Sequence, residues 1–195
     1  MPSVYALKPK FQALLRPVAN GLAAIGVTAN QVTIVACLIS IALGLDLTYG
    51  SRQWLLLPVW LFLRMALNAI DGLLAREHNQ ASRAGALLNE LTDVVADAAL
   101  LLPFAFLPGW CPVIVAAVVV LAGLTEMTSV VGQMLTGVRR NDGPMGKSDR
   151  ALVQGAVGTW VGLGWRAHEV IAPLMALLLM ATVYNRARHI LAEEE

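Results

Sequence analysis

Charge is what this sequence has least of. Only 14% of its 195 residues are Asp, Glu, Lys or Arg, against about 25% in a soluble domain. With 57% hydrophobic residues and a mean hydropathy of +0.66, that shortage points to a membrane. The net charge of +1 leaves no basic excess for nucleic acid. Cysteine is scarce too: Cys37 and Cys111 lie in or beside apolar runs, have neither metal-ligand nor disulfide spacing, and read as small buried hydrophobes. The first thirty residues hold Lys8, Lys10 and Arg16 but no apolar stretch of the signal-peptide kind. There is no internal repeat and no low-complexity tract, so the chain reads as a single membrane domain over 1–195.

What is present is a series of apolar runs of the length a bilayer requires, about 20 residues. Six fall near 31–50, 54–76, 84–107, 112–136, 150–166 and 170–187, the fifth short and rich in glycine. The breaks carry turn chemistry at Gly50 and Ser51, Pro108 and Gly109, Asp142 to Pro144, and Arg166 to Glu169. The expected fold class is an all-α integral membrane protein: six transmembrane helices over 30–190, preceded by a juxtamembrane segment, 1–29, with an amphipathic interfacial helix. In that helix, near 4–22, Tyr5, Leu7, Phe11, Leu14, Leu15 and Val18 recur at helical spacing around Lys8 and Arg16, and Pro9 and Pro17 are set to bend it. Eleven of the 14 Lys and Arg fall in the N-terminal segment, the loops after the second and fourth spans, and the C-terminus. The positive-inside rule then puts both termini in the cytoplasm.

Ionisable groups within spans are costly and are functional candidates by default. Asp71, Glu90, Asp93, Asp97 and Glu126 lie in the expected spans. Asn68 and Asp71 share a face of the second helix; Asn89, Asp93 and Asp97 are spaced i, i+4, i+8 on the third, with Glu90 beside them. A short loop makes these two helices antiparallel neighbours, so the polar faces meet near one end. Oxygen ligands converging there repel one another, and a hard cation such as Mg²⁺ or Mn²⁺ relieves that repulsion. Any one of these acids alone reads as well as helix–helix glue, and Asn68 and Asn89 as interhelical hydrogen bonders. A chain of acids could also serve a small ion or proton transporter as a relay.

From Asn68 to Asp93 the chain follows N-x2-D-G-x2-A-R-x8-G-x3-N-x3-D, through Asp71, Gly72, Ala75, Arg76, Gly85 and Asn89. This resembles the signature of the CDP-alcohol phosphotransferases (CDP-alcohol phosphatidyltransferases), D-x2-D-G-x2-A-R-x8-G-x3-D-x3-D. Every spacing agrees, as do six of the eight residues. Ala29, Asn30 and Thr33 are similar to the family's P-N-x-x-T entry to the first span, with Ala29 in place of proline. More narrowly, the chain resembles a bacterial branch whose signature begins with Asn.

The resemblance implies a phospholipid-synthesising enzyme that moves a phosphatidyl group from a CDP-alcohol, CDP-diacylglycerol foremost, to a second polar alcohol and releases CMP. It implies two divalent metals on the first three acidic positions, a general base at the fourth, a bacterial inner membrane and a homodimer. Carried over, Asp71 is a metal ligand and Asp93 the base. Gly72, Ala75, Arg76 and Gly85 lie around the nucleotide, as do Asn30 and Thr33 of the entry motif. The first and third aspartates are Asn68 and Asn89 here, neutral ligands in place of anions, and Glu90 and Asp97 are the compensating carboxylates at hand. The expected metal set is thus Asn68, Asp71, Asn89, Glu90, Asp93 and Asp97. A relative that binds the CDP-lipid without turnover is the competing reading.

The loop from Arg139 to Arg150 is the most polar in the chain, and Arg139, Lys147 and Arg150 are candidates to bind an acidic acceptor or, equally, anionic headgroups. Glu126, mid-span in the fourth helix, reads as helix glue or as an acceptor contact.

Overall fold

The computed structural model describes residues 8–50 and 52–192, with side chains from Phe11 onward. Tyr5 and Leu7 of the expected amphipathic stripe, and Ser51 of the first turn, lie outside the described residues. Those residues form seven α-helices and no strand: α1 (Lys8–Ala24), α2 (Ala29–Asp46), α3 (Leu56–Glu77), α4 (Arg83–Leu101), α5 (Pro112–Thr136), α6 (Lys147–Gly162) and α7 (Ile171–Leu191). Short 3₁₀ turns precede α3 (Arg52–Leu55) and follow α4 (Leu102–Phe106). Three segments are long and apolar enough to cross a membrane: Ala29–Asp46, Arg52–Glu77 and Pro112–Thr136. The remaining helices dilute their apolar character, α4 with carboxylates, α6 by its 16-residue length and α7 with Arg186, Arg188 and His189 in its last turns. Large apolar side chains also point outward, among them Phe62, Leu87, Val120, Met134 and Leu177. An apolar exterior over an apolar core is the pattern of helices in lipid.

The chain divides into two compact units. The first comprises residues up to Ile39 and Trp60–Ala96. Its core is Ala19 of α1, Ala29 and Val32 of α2, and Ile70, Leu73 and Leu74 of α3. Within α1, Leu15 and Leu22 pack on this core while Leu14 and Val18 stay exposed, and the helix continues through Pro17. Arg16 clasps the end of α3: its Nε and Nη2 donate to the two carboxylate oxygens of Glu77 at 2.8 and 2.9 Å.

Helix ends in this unit are written locally. Thr28, Gln31 and the backbone between them form a capping box, in which the Thr28 hydroxyl accepts from Gln31 N–H at 3.3 Å and the Gln31 side chain accepts from Thr28 N–H at 2.9 Å. The α3 end is a Schellman closure: Asn79 takes a left-handed φ of 55° and Gln80 N–H donates back to Ala75 O at 3.2 Å. Gln80 then reaches α2, its Oε1 accepting from Ala29 N–H at 2.7 Å. The α3–α4 turn is therefore pinned to the start of α2.

The second unit comprises Ser40–Val59 and the chain from Asp97 onward. Leu101, Val118, Ala122, Met145, Met175 and Leu179 form its core. At one end, Trp54 meets Phe104 edge-on at 4.9 Å, and Phe104 packs on Trp110 at 5.5 Å. The glycine richness of α6 has a packing cause. Gly158 and Gly162 face the Trp54–Leu57 stretch so closely that a Cβ on Gly162 would sit 2.8 Å from the Leu55 backbone nitrogen. Cys37 is buried as expected, whereas Cys111 is exposed, because it is the N-cap of α5 ahead of Pro112 and lies on the rim of the fold.

Candidate active site

In the first unit the polar face of α3 is Arg64, Asn68 and Asp71, at i, i+4 and i+7. Asp71 is buried, and its Oδ2 accepts from the Thr33 hydroxyl of α2 at 2.9 Å. Thr33 sits one turn beyond the capping box, so the local sequence at 28–33 sets both the start of α2 and the position of this donor. Asn68 bridges to α4, where its Nδ2 donates to Asp93 Oδ1 at 3.1 Å. The same Asp93 oxygen accepts from Arg64 Nη2 at 3.0 Å, and that nitrogen lies 3.2 Å from the Asp93 carbonyl as well. The Arg64 side chain is only 7% exposed. Around them, the Arg76 guanidinium folds over Gly72, where a Cβ would meet Nη1 at 3.1 Å. Gly85 lies against Asn30, whose Oδ1 would be 2.7 Å from an added Cβ. Asn30, Thr33, Asn68, Asp71, Gly72, Arg76, Gly85 and Asp93 thus each make one of these contacts, and all lie within the first unit. Ala75 sits on the same helix against that unit's core. Asn89 and Glu90 precede Asp93 by one turn of α4 and are half-buried.

Asp97 is grouped with the second unit. There Arg150 Nη2 donates to its Oδ2 at 2.8 Å and to Glu126 Oε1 at 2.9 Å. Arg150 Nη1 donates to the Thr125 hydroxyl at 2.9 Å, and the residue is 1% exposed. Arg139 lies 3.8 Å from the other Glu126 oxygen. Glu126 therefore ties α5 to α6 and to the polar loop. Arg186 of α7, also 1% exposed, donates to Thr125 O, Ser129 Oγ and Asp142 O at 2.6, 2.7 and 2.8 Å. Lys147 is the first residue of α6 and half-buried; the turn ahead of it is closed by Asp149, whose carboxylate accepts from Gly146 N–H at 2.9 Å.

Two residues of these clusters escaped the sequence reading. Arg64 is not among the candidates named above, although it stands four residues before Asn68 and so on its face. Arg186 counted as a cytoplasmic topology charge, although its α5 partners Thr125 and Ser129 announce a polar stripe by their i, i+4 spacing.

The profile of the CDP-alcohol phosphatidyltransferase family matches residues 26–188. The chain belongs to the CDP-alcohol phosphatidyltransferase family. The transferase is 44% identical to the inner membrane protein YnbA of Escherichia coli (strain K12) over 97% of its own length and 96% of that protein's. It is 28% identical to a phosphatidylinositol phosphate synthase of Mycobacteroides abscessus, covering 90% of this chain and 83% of the other. The phosphatidylinositol phosphate synthase of Mycobacterium tuberculosis, in a structure with CDP-DAG bound, has the same fold at a TM-score of 0.74 and 20% identity, over 91% of this chain and 94% of that one. Its manganese and citrate complex matches at a TM-score of 0.72 and 20% identity, over 90% and 88% of the two chains. This chain is accordingly an enzyme of the integral membrane, a phosphatidyltransferase by class.

The donor set of the transferase can be tested against the divalent metal its family implies. Among the described residues no three His, Cys, Asp or Glu side chains converge as metal ligands. What the signature positions offer is a mixed set of hard oxygens, carboxylates from Asp71 and Asp93 and amide carbonyls from Asn68 and Asn89. That set suits Mg²⁺ or Mn²⁺, which is commonly held by one or two carboxylates and completed by water and substrate phosphate oxygens.

Proposed function

We propose that this enzyme transfers a phosphatidyl group from CDP-diacylglycerol to a polar alcohol, with release of CMP, as a step of phospholipid biosynthesis. The observation that carries the reading is a pair of hydrogen bonds that tie α3 to α2 and to α4: Thr33 to Asp71 at 2.9 Å and Asn68 to Asp93 at 3.1 Å, at positions that follow the family signature. In this reading Asp71 and Asp93, with Asn68 and Asn89 and with Glu90 nearby, hold the Mg²⁺ or Mn²⁺, which when bound neutralises the donor's diphosphate. Gly72, Ala75, Gly85, Asn30 and Thr33 line the nucleotide, the glycines because they let a ligand approach the backbone. Arg76 forks onto a phosphate. Asp93 accepts the proton of the attacking hydroxyl while its oxygen attacks the β-phosphorus; the bond to the CMP oxygen breaks and CMP leaves. Arg64 and Asn68 hold the Asp93 carboxylate by Oδ1 and so fix its direction.

The acceptor is assigned to the polar residues Arg139, Lys147, Arg150 and Glu126 of the second unit. Asp97 and Glu126 already neutralise Arg150 there, which favours an uncharged polyol over a strongly anionic acceptor. The reading extends to six spans in a single membrane domain. α4, α6 and α7 would cross beside the three apolar segments, with both termini in the cytoplasm of a bacterial inner-membrane homodimer. The excess of Lys and Arg on one side supports the orientation, and the name of the E. coli relative, an inner membrane protein, supports the membrane.

The test is purified protein with labelled CDP-diacylglycerol, Mg²⁺ or Mn²⁺ and a panel of alcohols, with CMP and the lipid product measured. Metal-dependent CMP release with a new lipid is expected. Donor binding, seen as a rise in melting temperature, without CMP release under any acceptor would instead establish a relative that binds without turnover.

A further inference from the structure

The contact among Arg64, Asn68 and Asp93 sets a fixed positive charge against the last carboxylate of the signature. We infer that Arg64 takes the place of one divalent cation, so that the site binds a single Mg²⁺ or Mn²⁺ per chain. This rests on the donor site proposed above and deepens it.

Three observations carry it. First, the Asp93 oxygen that faces α3 is already engaged by two donors, Arg64 Nη2 at 3.0 Å and Asn68 Nδ2 at 3.1 Å. A cation bound to that oxygen would have to displace both and would stand next to a guanidinium of like sign. Second, asparagine at 68 is what makes the arrangement possible. An aspartate there has no N–H to give and would set one carboxylate against another, which only a cation between them could hold together. Arg64 and Asn68 are one turn apart on α3, so the cation and the amide reach Asp93 as a pair. Third, Arg64 is 7% exposed and fixed at two points of one residue, carboxylate and carbonyl, which is the geometry of a built-in counter-ion rather than of a side chain reaching for the headgroups. One carboxylate, Asp71, and the amide oxygens of Asn68 and Asn89 match the ligand demand of one small cation that shares its shell with phosphate.

The experiment is a Mn²⁺ titration of the purified full chain in detergent, with free Mn²⁺ followed by electron paramagnetic resonance, in the presence of CDP-diacylglycerol. One Mn²⁺ per chain is expected for the wild type and for Arg64→Lys, which keeps the charge. The triple variant Arg64→Gln, Asn68→Asp, Asn89→Asp restores carboxylates and removes the fixed cation, and should bind two. Two Mn²⁺ in the wild type, or one in a folded triple variant, would overturn the inference while leaving the donor site standing. No bound Mn²⁺ in the wild type would overturn the metal-dependent donor site and this inference together. The wild-type count and Arg64→Lys decide the matter even where the triple variant does not fold.

Discussion

Thr33 of α2 and Asp71 of α3 share one buried hydrogen bond of 2.9 Å, and the same hydroxyl lies 3.1 Å from the Ala29 carbonyl one turn back. The threonine thus couples the entry of α2 to the carboxylate proposed as a metal ligand. A hydrogen bond to a charged group contributes about 1.5–3 kcal/mol. Thr33→Val keeps the shape and removes the donor, so it should lower kcat/KM for CMP release by about tenfold or more. Thr33→Ser restores the hydroxyl and should recover most of that loss. Equal activity in wild type and Thr33→Val would remove Thr33 from the site.

Asp93→Asn keeps an oxygen toward Arg64 but no longer accepts a proton. General-base removal costs roughly 10²–10⁴-fold in rate. CMP release should fall by that order while CDP-diacylglycerol with Mg²⁺ still raises the melting temperature. A variant that retains turnover would place the base elsewhere.

Arg150 is enclosed by Asp97, Glu126 and Thr125. Arg150→Met leaves two carboxylates facing each other without their cation. Breaking a buried pair by removing one partner costs about 3–5 kcal/mol, so the melting temperature in detergent should drop sharply. Asp97→Asn leaves an acceptor in place and should cost clearly less. Equal melting shifts for the two would show that charge is not what holds α4, α5 and α6 together here.

Gly162→Ala tests the close approach of α6 to the start of α3. Alanine gains about 1 kcal/mol of helix propensity over glycine, but overpacking a tight contact costs about 1–3 kcal/mol. The obstructing atom is a backbone nitrogen at 2.8 Å, which does not swing aside, so destabilisation should win. A raised melting temperature would mean that the contact opens freely.

The helices were readable, and the candidate donor site could be named, because their signals are local. Apolar length marked the helices, and the spacing of Asp71, Gly72, Ala75, Arg76, Gly85 and Asp93 marked the site. Asp97 stands at i+8 on the stripe, but its partner, Arg150, comes from 53 residues further along, and no periodicity carries that information. Arg64 was open to reading, since it precedes Asn68 by one turn, yet a lone arginine in an apolar helix has many possible partners until α4 is in place. The shortness and glycine content of α6 set it apart from the other expected spans, and its glycines prove to be a contact surface for the Trp54–Leu57 stretch. The capping box of Thr28 and Gln31 was spelled out in four letters and is the local reason α2 starts where it does.

The Arg16–Glu77 clasp ties α1 to the end of α3. Glu77 follows Arg76 directly, five residues after Gly72, so the outermost helix holds the very tip of the segment that would cradle the nucleotide. The clasp is exposed on both sides, 48% and 37%, and so is weakened by salt and contested by anionic headgroups competing for Arg16. Raising the salt concentration should therefore loosen the tie between α1 and the tip of α3.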